Sequence, residues 1–174
     1  MSCYNKIIIT GKSVAEFEKT IDNRDFSFSQ TIPNPQGNIN SIWNFENWGT
    51  SKDCSEGFLE SSRKNKLIIT CFTCGPPSNW VKNVIKKYDD LRISILSRHI
   101  NCEYAIIIRN KKSYDYTFII KEIEKNIKLD FGITSIDKDL YTKKYSYYRE
   151  SVKEDLMDFL SDELKKIKNN KNKQ

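Results

Sequence analysis

Histidine is almost missing from this chain: His99 is the only one among 174 residues. No Gly-x-Ser-x-Gly stretch and no neighbouring nucleophile accompanies it, so the sequence offers nothing from which to build a histidine-based hydrolytic site. Long apolar runs are missing too. None approaches the about 18 residues of a membrane-spanning helix. Met1 to Lys6 leads only into a short apolar run, which reads as a strand rather than a signal peptide, and a cytoplasmic location follows as the default. The cysteines (Cys3, Cys54, Cys71, Cys74 and Cys102) are odd in number and irregularly spaced, so reduced thiols are expected in place of a disulfide framework. No repeat at a solenoid period is present.

The formal charge is +6, but its placement matters more than its size. Lys165, Lys166, Lys168, Lys171 and Lys173 fall within the last ten residues with no acid among them, and the rest of the chain is left at +1. Residues 165–174 are therefore read as a basic disordered tail, and residues 1–164 as one domain. A near-neutral body predicts that any nucleic-acid binding is weak, salt-sensitive and dependent on the tail.

Taken in order, Ile7-Ile8-Ile9 marks a strand apolar on both faces, ending at Gly11. Ser13 and Glu16 form a capping box for a helix whose apolar face is Val14, Phe17 and Ile21, ending near Asn23. Phe26 to Ile32 alternates apolar and polar, predicting a half-exposed strand that stops at Pro33-Asn34-Pro35. Asn40 or Ser41 caps a short helix through Trp48, and Gly49 suits the left-handed position that ends it. Residues 51–66 read as loop. Leu67 to Phe72 is a second continuous apolar strand, and Gly75-Pro76-Pro77 stops it. Ser78 then caps a helix carrying Trp80, Val81, Val84, Ile85 and Tyr88 at helical spacing. Arg92 to Arg98 alternates. Glu103 to Arg109 and Tyr114 to Ile120 read as a hairpin. Residues 121–145 fit helix or strand, and Tyr148 to Lys168 is an amphipathic helix.

This order predicts an α+β domain with a ferredoxin-like split βαββαβ sandwich and a C-terminal strand and helix extension. Strands in such a sheet run 4-1-3-2, which puts the two continuously apolar strands at the centre. Helices then cover one face only, so the second face calls for a cover, either the C-terminal helix or a partner molecule.

Three local patterns are similar to the YubB/Api-type family of plasmid, phage and other mobile-element proteins, which carry a ferredoxin-like domain. Trp43, then Asn47-Trp48-Gly49-Thr50 and Asp53, resembles its signature, with Ser51-Lys52 standing where that family has Lys-Trp. Ile32-Pro33-Asn34-Pro35 resembles its Ile-Pro-x-Pro. Phe72 with Pro76-Pro77 resembles the end of its third strand, though Cys74-Gly75 replaces the usual tryptophan. The likeness spans residues 3–109. It implies the fold and a viral or mobile-element context, with no reaction, cofactor or catalytic residue.

Candidate sites follow from residue type. Trp43, Asn47, Trp48, Thr50, Lys52 and Asp53 form one binding candidate, with Trp48 beside Gly49 its most open aromatic. Tyr145 and Tyr148, interleaved with Lys143, Lys144 and Arg149, form a second that could stack on bases. Cys71-x-x-Cys74 with His99-x-x-Cys102 has the residue types of a zinc set. Residues three apart on a strand point to opposite faces, and the expected topology puts His99, read as an exposed strand end, far from Cys71. No metal or cofactor is therefore expected. The leading reading is a non-enzymatic binding or accessory module of a virus or mobile element, at home in the host cytoplasm or the virion. A nucleic-acid-binding protein comes second. A small enzyme with a carboxylate pair assembled in three dimensions, such as Glu46 with Asp53, comes third.

Overall fold

The computed structural model describes residues 3–37, 40–101, 104–130 and 143–171. The elements in order are β1 (Cys3–Thr10), α1 (Val14–Glu18), α2 (Phe28–Thr31), α3 (Ser41–Trp48), β2 (Ser55–Arg63), β3 (Lys66–Thr73), α4 (Ser78–Lys87) and β4 (Arg92–His99). They continue with β5 (Ala105–Arg109), β6 (Lys112–Asp115), a 3-10 turn (Thr117–Ile119), α5 (Ile120–Asp130) and α6 (Lys143–Lys171). The strands form one sheet in the order β2-β3-β1-β4-β5-β6, every neighbouring pair antiparallel. The chain is thus α+β, and its first four strands lie 4-1-3-2.

The expected second strand is misplaced in the sequence reading. Phe26 to Ile32 is not a strand; Phe28–Thr31 is a turn of helix. Its start is fixed locally and from a distance. Ser27 N–H donates to Gln30 Oε1 at 3.0 Å. Phe28 and Ser29 N–H donate to the Asp53 carboxylate at 2.6 and 3.1 Å. The true second strand lies in the stretch read as loop. It is an edge strand with two irregular registers, and only Leu59 on it is buried. A strand with one buried side chain leaves no periodic signal to read.

Ser13 precedes α1 but does not cap it with its side chain. Its hydroxyl donates instead to Asp90 Oδ1 at 2.5 Å, and the N–H groups of Lys12 and Ser13 donate to Asp90 Oδ2 at 2.6 and 2.9 Å. Nor does Ser78 cap α4: it is the first helical residue, after Pro77. Asn40 does cap α3, its Oδ1 accepting from Ile42 and Trp43 at 3.1 and 3.0 Å. Gly49 closes that helix at φ +84°, ψ +6°, in the left-handed region.

Two hydrophobic clusters sandwich the sheet. The first packs Ile7, Ile9, Leu67, Ile69, Ile93 and Ile95 against Phe17, Phe28, Trp48, Trp80 and Val84. The second packs Leu96, Ala105 and Ile107 against Val152, Leu156, Leu160 and Leu164 of α6 and Ile120 and Ile127 of α5. The C-terminal helix therefore supplies a cover for the second face, over β4 and β5. It does so unevenly. β4 is buried on both faces nearly throughout, whereas β1 and β3 alternate buried with half-buried. This reverses the expectation that the Ile-rich strands are the doubly buried ones. α5 occupies the first part of the stretch read as ambiguous, and residues 131–142 lie outside the described part. The basic C-terminal run is helical to Lys171, not disordered, because Leu164 and Ile167 prolong the apolar stripe that seats α6.

Candidate nucleic-acid interface

The signature stretch from Trp43 to Asp53 is a clamp that joins α2, α3 and α4. Trp48 is fully buried, and its indole N–H donates to Ile32 O at 2.9 Å. Trp43 packs edge-on against it, ring centroids 5.6 Å apart. Asn44, also fully buried, donates to Ser51 O at 3.2 Å and accepts from Asn34 at 2.8 Å. Asn47 turns its side chain back to Trp43 O, and its own carbonyl accepts from Asn83 of α4. Thr50 is buried and bonds Lys52 O. Asp53 spends both carboxylate oxygens on backbone N–H groups of residues 28, 29 and 54. That removes it from an acid–base pair with Glu46. Lys52 alone in this set is well exposed. Trp48, Asn44 and Thr50 are turned inward while Phe45 and Glu46 face out, and Trp48 has no free ring face for a ligand. Trp80 is core as well, its indole bonded to Thr31 Oγ1 at 2.8 Å. The side chains of Tyr145 and Tyr148, and Cys102, lie outside the described residues.

The end of the sheet that holds Cys71 corrects the topology used against a zinc set. β3 and β4 are each antiparallel to β1, and Thr73 and His99 both pair with Cys3. The ends of β3 and β4 are thus neighbours across one strand, because a helical crossover between them returns the chain in the same direction. His99 is buried, not exposed, and its ring lies 5.4 Å from that of Tyr104. Cys3, Asn5, Cys71, Thr73 and Ser97 join it in a buried polar patch on the core side. Asn5 donates to Thr73 Oγ1 at 2.8 Å, and burial pushes the Cys3 thiol upward in pKa. Cys74 is exposed. Among the described residues no group of three or more metal-binding side chains forms. A cleft of about 470 Å3 opens between the start of α4 and the β5–β6 hairpin. Its lining includes Phe45, Pro76, Lys82 and Lys111, with no carboxylate, imidazole or thiol.

The other side of the sheet is different in character. Antiparallel partners share a face, and the registers set out four rows there. Phe72, Tyr4 and Arg98 form the first; Phe58, Thr70 and Lys6 the second; Ser61, Ile68, Ile8, Ser94 and Arg109 the third. Arg63, Lys66, Thr10 and Arg92 form the fourth. α6 packs over Leu96 but leaves the β3 side half-open: Tyr4 and Phe72 are half-buried and belong to neither hydrophobic cluster, and Phe58 is 46% exposed. The Tyr4 and Phe72 rings meet edge-to-face at 5.5 Å. The Arg98 guanidinium sits 5.0 Å above the Tyr4 ring, and that of Arg24 sits 4.8 Å above Phe58. Lys6 pairs with Glu60 at 3.8 Å. Burial, and then the Glu60 charge, raises the Tyr4 pKa, so its hydroxyl stays protonated at neutral pH.

These aromatics escape a sequence reading that looks for continuous runs. The signal that points to them is the alternation inside those runs, Tyr4-Lys6-Ile8-Thr10 and Ile68-Thr70-Phe72, whose members recur every second residue. The near-neutral charge of the body likewise hides a local excess. Lys6, Arg63, Lys66, Arg92, Arg98 and Arg109 share this face, and Glu60 pairs with Lys6 there.

Compared with family models, curated proteins and solved structures, the chain finds no match in any of the three. Its reading therefore rests on its own geometry. Among the described residues no helix is long and apolar enough to cross a membrane.

Proposed function

We propose that this chain is a non-enzymatic binding module with a ferredoxin-like core, and that its ligand is a single-stranded nucleic acid laid across the open part of the sheet. The observation that carries the reading is the Tyr4–Phe72 pair on adjacent central strands, half-open and flanked by Arg98 and Lys6. Flat aromatic positions on a sheet suit unstacked bases, whose π faces are offered only by single strands. The surrounding cations suit the phosphate backbone and carry no base preference, so binding is sequence-tolerant. The split βαββαβ reading draws support from the 4-1-3-2 strand order.

The test is fluorescence anisotropy with labelled single-stranded DNA, single-stranded RNA and the matching duplex. Dissociation constants in the micromolar range or below are expected for the single strands, with the duplex at least about tenfold weaker. Equal or better binding to the duplex refutes the stacking platform. A second reading rests on Ile42 and Phe45, three residues apart on α3 and 72% and 62% exposed. They are neighbours on that helix surface and suit a protein partner on the opposite side of the molecule.

A further inference from the structure

We propose that the cleft between the start of α4 and the β5–β6 hairpin, together with the outer edge of β6, docks an extended acidic segment of a partner protein that carries one apolar side chain. This rests on the second reading above, a protein partner on the α3 side of the molecule, and is independent of the nucleic-acid site.

The cleft of about 470 Å3 is apolar inside and cationic at its rim. Ile106, Ile108, Pro76 and Phe45 give it apolar walls, and Phe45 is 62% exposed. Lys82, Lys111 and Lys112 line it too, all of them exposed. A second hollow of about 380 Å3 shares Lys82 and Lys111 with the first and adds Lys86. Glu46 is the carboxylate in its lining. Four lysines from α4 and the hairpin thus stand against one glutamate around an apolar cleft. That pattern suits an apolar anchor flanked by carboxylates, which the lysines steer and hold in register.

The strand register says how such a segment could lie. β6 is the last strand of the sheet, and among the described residues no strand pairs with its far side. Tyr116 N–H donates to Ala105 O at 2.8 Å. Hydrogen-bonded and non-bonded positions alternate along an antiparallel pair, so Ile107–Tyr114 and Arg109–Lys112 are bonded pairs as well. Ser113 and Asp115 fall at the positions between, and their backbone N–H and C=O groups point outward from the sheet. Ser113 also lines the cleft. A chain laid along this edge gains main-chain hydrogen bonds from β6, and every second side chain turns toward the cleft. Asp115, whose Oδ1 accepts from Thr117 N–H at 2.8 Å, sits at the end of the strand away from the turn. The partner's acids therefore belong at the turn end, beside Lys111 and Lys112. A second copy of this chain is the poorer occupant, because pairing edge to edge brings two lysine rims together.

The experiment uses the full chain and a fluorescein-labelled peptide, Ser-Thr-Phe-Thr-Glu-Ser-Glu, with its reversed sequence to allow either strand direction. Phenylalanine and both glutamates share one face of the extended peptide. One of the two probes should bind saturably and should protect the Ser113 amide from hydrogen exchange. Replacing its glutamates by glutamine should weaken it about fivefold, the effect of two exposed charge pairs. Lys82→Glu/Lys111→Glu, at two exposed positions, should lose the acidic probe and gain the version with lysine for glutamate, which a misfolded variant could not do. No saturable binding of either probe up to about 1 mM overturns the site. Displacement of the probe by oligo(dT) assigns the lysines to a nucleic-acid backbone and also overturns it. Loss of the probe in Ile42→Ser/Phe45→Ser, with no effect of charge reversal and no protection of Ser113, keeps the apolar protein surface and removes the edge site. Charge swapping and Ser113 protection that persist in Ile42→Ser/Phe45→Ser keep the edge site and remove the apolar surface.

Discussion

Tyr4 and Phe72 stand directly opposite each other on β1 and β3, 68 residues apart in the chain and 5.5 Å apart between ring centroids. Each occupies the side of its strand that alternation turns away from the main core. Their partnership depends on the register Cys3↔Thr73 through Thr10↔Lys66, which runs without a break. A one-residue slip of either strand would turn its ring into the core and expose its own isoleucine, Ile7 on β1 or Ile69 on β3. The large core on the other side of the sheet therefore holds the pair in place.

The signature around Trp48 should report on stability and not on binding. Trp48→Phe removes the indole donor and leaves the part-buried Ile32 carbonyl without it, which should cost about 1–3 kcal/mol. Urea unfolding measures the loss, and anisotropy should show the oligonucleotide affinity of the folded variant unchanged. A drop in affinity with full stability would return the signature to the list of ligand contacts.

Gly49 offers a sharper test of the same clamp. A side chain at φ +84° is strained by about 1 kcal/mol. Its Cβ would also approach Ser78 N to 3.0 Å and Pro76 O to 3.2 Å. Gly49→Ala should therefore lose somewhat more than about 1 kcal/mol in urea unfolding, since α4 must shift to admit the methyl group. Gly57→Ala should do worse, because a Cβ there falls 1.9 Å from Phe26 O.

Asp90 gives a pH signature. Its carboxylate accepts from Ser13 Oγ and from the N–H groups of Ser13 and Lys12, which holds its pKa below the ordinary carboxylate value of 3.8. A depressed acid stabilises the fold above its unfolded pKa, and that stability is lost as pH falls through its folded pKa. Asp90→Asn should thus be less stable than the parent at neutral pH, and the gap should be constant above about pH 5 and close below about pH 4. Thermal melts at pH 7, 5 and 3 follow it. A gap that widens toward acid would contradict the hydrogen-bond assignment.

Local features were legible in the sequence where one residue decides the geometry. Asn40 and Gly49 bound α3 as read, and Trp80, Val81 and Val84 face the core as their spacing predicts. Misreadings arose where a distant residue decides. Phe26 and Phe28 look like alternate strand positions until Asp53, twenty-five residues on, caps the turn of helix they enter. β2 carries too few apolar residues to register, and is a strand because β3 offers it an edge. Of the binding candidates, the tryptophan stretch was visible because it is unusual in composition, yet Trp48, Asn44 and Thr50 turned out to face inward. Tyr4 and Phe72 were hidden because their alternation is masked by the continuous apolar runs that contain it, and their pairing joins two segments 68 residues apart.

The measurement that bears most directly on the central claim is the single-strand affinity of Tyr4→Leu/Phe72→Leu beside that of the parent chain at the same salt concentration. Leucine keeps the half-buried apolar volume but removes both π faces. Stacking is worth about 1–3 kcal/mol per base, so affinity should fall at least about 30-fold, with the salt slope and melting temperature little changed. A fall of less than about threefold in a variant that melts with the parent would mean that no base rests on these rings, and the sheet face would lose its claim as the nucleic-acid site.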